Sequence, residues 1–368
     1  MPRIDAFLQL GREQGCSDIH FTVGMPPMVR LDGELIPIKY RAMTEEEIAS
    51  MVAEILSCDQ REELDSKGAV DFSYASPEAG RFRANVCVQA RGTAMVCRVI
   101  PNQVIPLSRL GVPSVVATFT HLNAGLVLGT GATGTGKSTT LAAIIDEINR
   151  TRNATILTLE DPVEFVHESQ KSLVVQREIG TDAISFGEGL RAALRQDPDV
   201  ILVGELRDQE SIALALEASE TGHLVLGTLH TRGAAQTIDR ILDAFPPESH
   251  SQVRTTLADN LKAVVSQELV RAADGRGRRA ALEILIVMPA IAQFIRDGQS
   301  HQIPRVMETG RRHGMQLMDR ALLDLVRAGD VDPDDAYRLA TDKKEFEAFV
   351  TPAESMPSRS GQAAREAG

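Results

Sequence analysis

Four short apolar runs, "GLVLGTG", "ATILTLED", "DVILVGEL" and "HLVLGTLH", occupy the middle of the chain, with helix-like stretches such as "SFGEGLRAALRQ" and "SIALALEASETG" between them. Nothing else in the sequence restricts the fold so strongly. Runs this continuously apolar are what parallel strands need when helices cover both faces of their sheet, and the alternation predicts an α/β doubly wound domain. Ligands of such sheets sit outside the carboxyl ends of the strands, so the residues that close each run are the first candidates for chemistry.

The first run is closed by "GTGATGTGKSTT", in which Gly131, Gly136, Lys137 and Ser138 fit G-x-x-x-x-G-K-[ST]. A strand before it and a helix after it give the loop the context of a phosphate cradle, with free helix N–H groups and the helix dipole aimed at an anion. Gly131, Gly134 and Gly136 let the backbone approach, together with Ala132, Thr133 and Thr135. Lys137 is expected to reach the β- and γ-phosphates of ATP, Ser138 to offer its hydroxyl to Mg²⁺, and Thr139 to complete the first turn.

Two other runs end in acids. "DVILVGELRD" has the body of a metal-holding strand, but Gly204 stands where an Asp is usual, leaving Glu205 to contact Mg²⁺ or to activate water. "ILTLEDPVEF" ends its strand at Glu160 and Asp161 before Pro162 stops the ladder, making Glu160 the candidate to orient the attacking water. The last run carries a histidine at each end. At about 3.3 Å per residue His223 and His230 are roughly 23 Å apart, so they have different tasks, and only His230 is placed to sense a γ-phosphate.

The remaining chain sets the context. Its 368 residues call for about two cores. Before the apolar runs the pattern is β-rich: a hairpin around Asp32-Gly33, a helix opened by Thr44 with Glu47 at capping-box spacing, then "AVDFSYA", "GRFRANVCVQA" and "TAMVCRVI" as strands. A connector with three prolines follows, placing a boundary between Pro101 and Phe119. Beyond Gly275 come one further strand, "RRAALEILIVM", several short helices from Ala290 to Phe349, and a tail expected to be disordered. No apolar run approaches the roughly 18 residues of a spanning helix, and no signal peptide is expected at the N-terminus. Cys16, Cys58, Cys87 and Cys97 form no C-x-x-C pair, which argues against zinc and for reduced thiols. A net charge of −12 disfavours nonspecific attraction to DNA or an anionic bilayer.

These motifs together carry a resemblance. "GATGTGKSTT", "TLEDPVEFVH", "ISFGEGLRAALRQDPDVILVGELRD" and "ETGHLVLGTLHT" resemble the Walker A, Asp box, Walker B and His box of the secretion-superfamily ATPases. "SDIHF", "GRFRANVCVQARG", "AIAQFIRDG" and "GMQLMDRALLDLV" look like the PilT/PilU branch, the twitching-motility ATPases of type IV pili, and the match runs from about Ser17 to Ala340. The resemblance implies a smaller PAS-like α+β domain over residues 1–104, a linker at 105–118, a RecA-like P-loop ATPase core at 119–288, a helical region at 289–350 and a tail at 351–368. It also implies a cytoplasmic homohexamer, peripheral at the inner membrane through the pilus machinery, with a platform protein and a paralogous retraction ATPase as partners.

Arg81 and Arg83 alternate along one predicted strand and Arg98 lies on the next, so the three can form a cationic cluster; the family's N-terminal arginines approach nucleotide as fingers do. Lacking an earlier domain and a tetracysteine element, the chain resembles a retraction motor, and "AIAQFIRDG" resembles the AIRNLIR element with departures at Gln293 and Phe294. An accessory paralogue, a non-hydrolysing ring subunit and a DNA translocase stay as alternatives. The last needs a basic DNA-binding element, for which only "DGRGRR" offers itself; no nucleic-acid partner and no direct membrane insertion are expected.

Overall fold

The computed structural model describes residues 2–31, 34–100, 103–275 and 277–350, which form two compact units. One comprises the residues up to Val104 together with Glu160–Glu168; the other comprises Ile105–Leu159 and the residues from Ser169 on. The Asp32-Gly33 turn, Pro101, one arginine of "DGRGRR" and the 351–368 tail lie outside the described residues.

The first unit runs α1 (Ile4–Glu13), β1 (Asp18–Thr22), β2 (Met28–Leu31), β3 (Glu34–Pro37), α2 (Glu45–Ile55), α3 (Cys58–Lys67), β4 (Ala69–Ser76), β5 (Gly80–Gln89) and β6 (Gly92–Val99). Its six strands make one antiparallel sheet in the order β3-β2-β1-β6-β5-β4. Alternation decides the faces. Phe82, Ala84 and Val86 of β5 and Met95 and Cys97 of β6 turn inward onto Ile4, Leu8, Ile48 and Met51 of the helices, leaving the residues between them on the other face. Thr44 and Glu47 make the expected capping box at the start of α2. Ser57 and Gln60 make a second one, at the start of α3, a helix the apolar pattern does not announce because only Leu64 is buried on it.

The second unit opens with α4 (Val115–Thr118), then β7 (Gly125–Thr130), α5 (Lys137–Thr151), β8 (Thr155–Glu160), β9 (Leu173–Glu178), α6 (Phe186–Ala193), β10 (Val200–Val203), α7 (Gln209–Glu220), β11 (Leu224–Leu229), α8 (Ala234–Leu242), α9 (His250–Asn260), β12 (Leu261–Arg271) and β13 (Arg278–Ile286). It closes with α10 (Pro289–Arg296), α11 (Ile303–Thr309), α12 (Met318–Ala328) and α13 (Pro333–Leu339). The seven-stranded sheet has the order β13-β12-β7-β11-β10-β8-β9. The neighbours from β12 through β8 pair in parallel and β13 returns antiparallel. Every residue of β7, β10 and β11 is buried, as the continuous runs require, between helices packed on the two faces. The four runs are therefore β7, β8, β10 and β11. Beside β7 lies a strand the apolar runs did not announce, β12.

No described helix is long and apolar enough to cross a membrane. Ile201, with no exposed surface, is flanked by strands on both sides. Its replacement by Ala is expected to cost about 2–5 kcal/mol, read as a lower midpoint in chemical denaturation; an unmoved midpoint would contradict this packing.

Candidate nucleotide site

The carboxyl end of β7 and the first turn of α5 hold the predicted phosphate loop. Gly131, Gly134 and Gly136 have φ of 135°, 82° and 87°, a region that side chains rarely enter. At two of them the surroundings add a second reason. A Cβ on Gly131 would stand 2.4 Å from the Gln267 carbonyl oxygen, and one on Gly136 would stand 2.7 Å from Gln267 Nε2. The loop is thus pressed against β12. Gln267 Nε2 donates to Thr135 O at 2.8 Å, its Oε1 accepts from Thr140 Oγ1 at 2.7 Å, and Ser266 Oγ lies 2.6 Å from Thr130 Oγ1.

Within the loop, Thr135 Oγ1 donates to Ala132 O at 2.9 Å, and the buried Lys137 donates from Nζ to the carbonyls of Gly131 at 2.8 Å and Ala132 at 2.9 Å. The ammonium is held by backbone dipoles at the point where the loop closes, and a phosphate oxygen would supply the formal negative charge those carbonyls lack. Thr133 and Ser138 are exposed and Thr139 is half-buried at the helix start, leaving the Ser138 hydroxyl accessible.

Sheet order sets the neighbours: β11 lies between β7 and β10, and β8 flanks β10 on its other side. Gly204, just past β10, donates its N–H to Leu159 O at 2.7 Å and accepts from Thr228 Oγ1, while Leu206 N–H donates to Thr228 O at 2.9 Å. Glu205 is thereby pinned between residues bonded to both adjoining strands. Its Oε2 pairs with Arg207 at 2.8 Å and its Oε1 faces His230 Nε2 at 3.2 Å. Burial works against its ionisation, but Arg207 and then His230 outweigh that and hold the carboxyl below its ordinary range. Glu160 is the last residue of β8, so it leaves the same edge one strand further on, and with it begins the segment that groups with the first unit.

The histidines part as expected. His230 follows β11 at the site edge, while His223 precedes it, its Nδ1 2.9 Å from Ala218 O at the end of α7. His223 is a local structural contact.

On the first sheet, register lines up Arg30, Asp18, Arg98, Arg83 and Ser73 across β2, β1, β6, β5 and β4. Arg83 and Arg98 are therefore direct cross-strand neighbours, and Arg81 is on the same side of β5 as Arg83, opposite the buried Phe82. Arg98 Nε donates to Asp18 Oδ1 at 2.9 Å, and Arg83 Nε is 3.9 Å from Asp71 Oδ1. Burial opposes ionisation of Asp18, but Arg98 and Ser17 overcome it and keep the carboxyl below its ordinary range.

Among the described residues no group of three or more His, Cys, Asp or Glu could hold a metal by itself. Mg²⁺ at a nucleotide takes most of its ligands from phosphate and water and needs only one or two protein oxygens, a demand that the Ser138 hydroxyl and the Glu205 carboxylate fit.

Three residues escaped the reading of motifs: Gln267, Arg207 and Asp18. Arg207 had a signal, standing two residues beyond the acid it neutralises, and Asp18 had one in "SDIHF". Gln267 had none, since its partner is 132 residues away in sequence.

Comparison with known proteins places this geometry. The family model described as type II/IV secretion system protein matches residues 2–338. The chain is 45% identical to the type IV pilus retraction ATPase PilT of Pseudomonas aeruginosa over 343 residues, covering 93% of this chain and 99% of that one. It is 37% identical to the type IV pilus ATPase PilU of the same organism, covering 94% and 91%. A crystal structure of the pilus retraction motor PilT with bound ADP superposes with a TM-score of 0.87 at 43% identity, covering 93% of this chain and 98% of that one.

The brace predicts its own test. Gln267→Ala removes two side-chain hydrogen bonds that each contribute about 1 kcal/mol, so nucleotide affinity is expected to fall by roughly 10- to 30-fold, measured by titration with a fluorescent ATP analogue. Wild-type affinity would mean that the loop holds its shape unaided.

Proposed function

Because this chain belongs to the type II/IV secretion system protein family, we propose that it is the ATP-hydrolysing motor of type IV pilus retraction. The observation that carries the reading is the shared sheet edge: the Gly131–Ser138 loop, His230 and Glu205 follow three adjacent strands, β7, β11 and β10. Higher identity to PilT than to PilU, 45% against 37% over similar coverage, favours the dedicated retractor over the accessory paralogue.

In this reading the amides of Ala132 to Thr139 bind the phosphates, and Lys137 exchanges its carbonyl partners for phosphate oxygens. Ser138 and Glu205 hold Mg²⁺, which when bound neutralises charge on the phosphates. Glu160 orients the attacking water, and His230, already facing Glu205, reports the γ-phosphate. The arginine row of Arg81, Arg83 and Arg98 supplies the cation for the transferring group. The division into an N-terminal domain, an ATPase core and a C-terminal helical region belongs to the same proposal, as do assembly into a homohexamer, a place at the inner membrane on the pilus platform protein, and cooperation with a paralogous ATPase. DNA-stimulated turnover would favour a translocase instead.

Lys137→Ala is expected to abolish hydrolysis and weaken ATP binding with the circular dichroism spectrum unchanged. Glu160→Gln and Glu205→Gln should each bind ATP but lose most turnover; normal turnover in either removes that residue from its role. A clean deletion should leave cells with excess pili and no twitching, and normal twitching would sink the retraction reading.

Arg83→Ala should lower turnover without disturbing assembly. In verified mixed rings with Lys137→Ala chains, recovered activity would show the arginine serving a neighbouring subunit's nucleotide. Unchanged turnover in the Arg83→Ala chain alone would remove Arg83 from the phosphate site.

A further inference from the structure

Glu283 on β13 belongs to no motif, yet it stands level with the nucleotide loop. Register pairs it with Ser266 of β12, and Ser266 in turn with Thr130, the last residue of β7 before the phosphate loop. Side chains in such a row share one face of the sheet. There Ser266 Oγ meets Thr130 Oγ1 at 2.6 Å, and the Glu283 carboxylate reaches out to two helices. Its Oε1 accepts the N–H of Ala234, the first residue of α8, at 2.8 Å, and its Oε2 accepts the N–H of Met318, the first residue of α12, at 3.3 Å.

Neither helix caps these amides itself. The position before α8 is Gly233 and the one before α12 is Leu317, and neither makes a side-chain cap. Gly233 leaves room for the visitor, because a Cβ there would come within 3.2 Å of Glu283 Oε1. Two helix N-termini directed at one carboxylate suit its negative charge. Burial nonetheless raises the Glu283 carboxyl above its ordinary range, against the pull of the Ala234 and Met318 amides and with a further push from Asp319. Burial thus works against the charge that the two amides favour.

The placement of α8 gives the carboxylate a use. Only Thr231, Arg232 and Gly233 separate His230 from Ala234. The segment is tightened further where Thr231 Oγ1 meets Thr237 Oγ1 at 2.7 Å and Thr237 Oγ1 donates to Gly233 O at 2.8 Å. Whatever fixes the start of α8 therefore fixes the peptide carrying His230. The other oxygen of the same carboxylate fixes α12, the third α-helix after the sheet. We propose that Glu283 is a positioning residue for ATP hydrolysis: its two oxygens tie the His230 segment to the C-terminal helices, so that a displacement at α12 is felt at the nucleotide edge of the sheet. The proposal rests on the ATPase reading above.

The variant Glu283→Gln keeps size and one acceptor but points an NH₂ at one of the two amides. Its turnover by assembled rings is expected to fall about tenfold, the scale of losing one charge-assisted hydrogen bond, while KM for ATP changes little. Hydrogen exchange should quicken together in peptides covering residues 231–237 and 317–321. The coupling is tested from the other end by Met318→Pro, which deletes the α12 amide at a helix position where proline is well tolerated, with Met318→Ala as the control for lost packing. Met318→Pro is expected to lower kcat and quicken exchange at 231–237 beyond the alanine control. Wild-type kcat in Glu283→Gln, a loss that only tracks a lower melting temperature, or a Met318→Pro chain identical to Met318→Ala would each overturn the proposal. Exchange needs no turnover, so a tie between the helices is judged even if the wild-type chain hydrolyses nothing, an outcome that would count against the ATPase reading itself.

Discussion

A glycine-rich phosphate loop has few side chains with which to hold itself, and its positive-φ residues lose more freedom on folding than any others. The carboxamide of Gln267 makes up for this. By bonding Thr135 O and Thr140 Oγ1 at once, it joins the loop to the first turn of α5 and both to β12. Everything at the site edge is referred to that strand: β7 through Ser266 and Thr130, α8 and α12 through Glu283 opposite Ser266. The row Glu283, Ser266, Thr130, Leu229 crosses β13, β12, β7 and β11 at one level and delivers His230 as the next residue.

At the other side of the site the constraint is electrostatic. Both oxygens of Glu205 are engaged, one by Arg207 and one by His230. Any further ligand of that carboxylate would share an oxygen with one of these partners or take its place. His230 is held less closely than Arg207, 3.2 Å against 2.8 Å, and is the partner more easily exchanged. His230 begins the segment leading to α8, whose first amide is bonded by the Glu283 carboxylate, so the two carboxylates bracket one short stretch of backbone.

The parallel core was legible because its signal is local. Fully buried strands must be apolar at every position, so β7, β10 and β11 could be read from their own residues. Lys137, Ser138 and Glu205 followed from the rule that ligands gather at the carboxyl edge. What could not be read is what depends on pairing. The strand β12 hides because Ser266 and Gln267 interrupt its apolar run, and they are polar because they bond the end of β7, the P-loop and the start of α5. A missing strand in the reading took its brace with it. Glu283 was hidden for the same reason, as its partners lie 49 and 35 residues away. On the first sheet the alternation of Arg81 and Arg83 was visible, but that Arg98 stands directly opposite Arg83 is a matter of register, which no single strand carries.

That last pairing is itself an argument. Like charges placed directly across two strands destabilise a sheet, and this one tolerates Arg83 beside Arg98 on a face with Arg30 two strands further along the same row. The acids present soften the cost without removing it: Asp18 sits between Arg30 and Arg98 and bonds the latter, while Asp71 approaches Arg83 only to 3.9 Å. The sheet sets an acid opposite one of the two arginines, Asp18 across from Arg98, and leaves Arg83 with Ser73 on its other side and Asp71 at 3.9 Å. The like-charge cost that remains therefore falls mainly on Arg83, held by Asp71 at 3.9 Å where Arg98 is held by Asp18 at 2.9 Å.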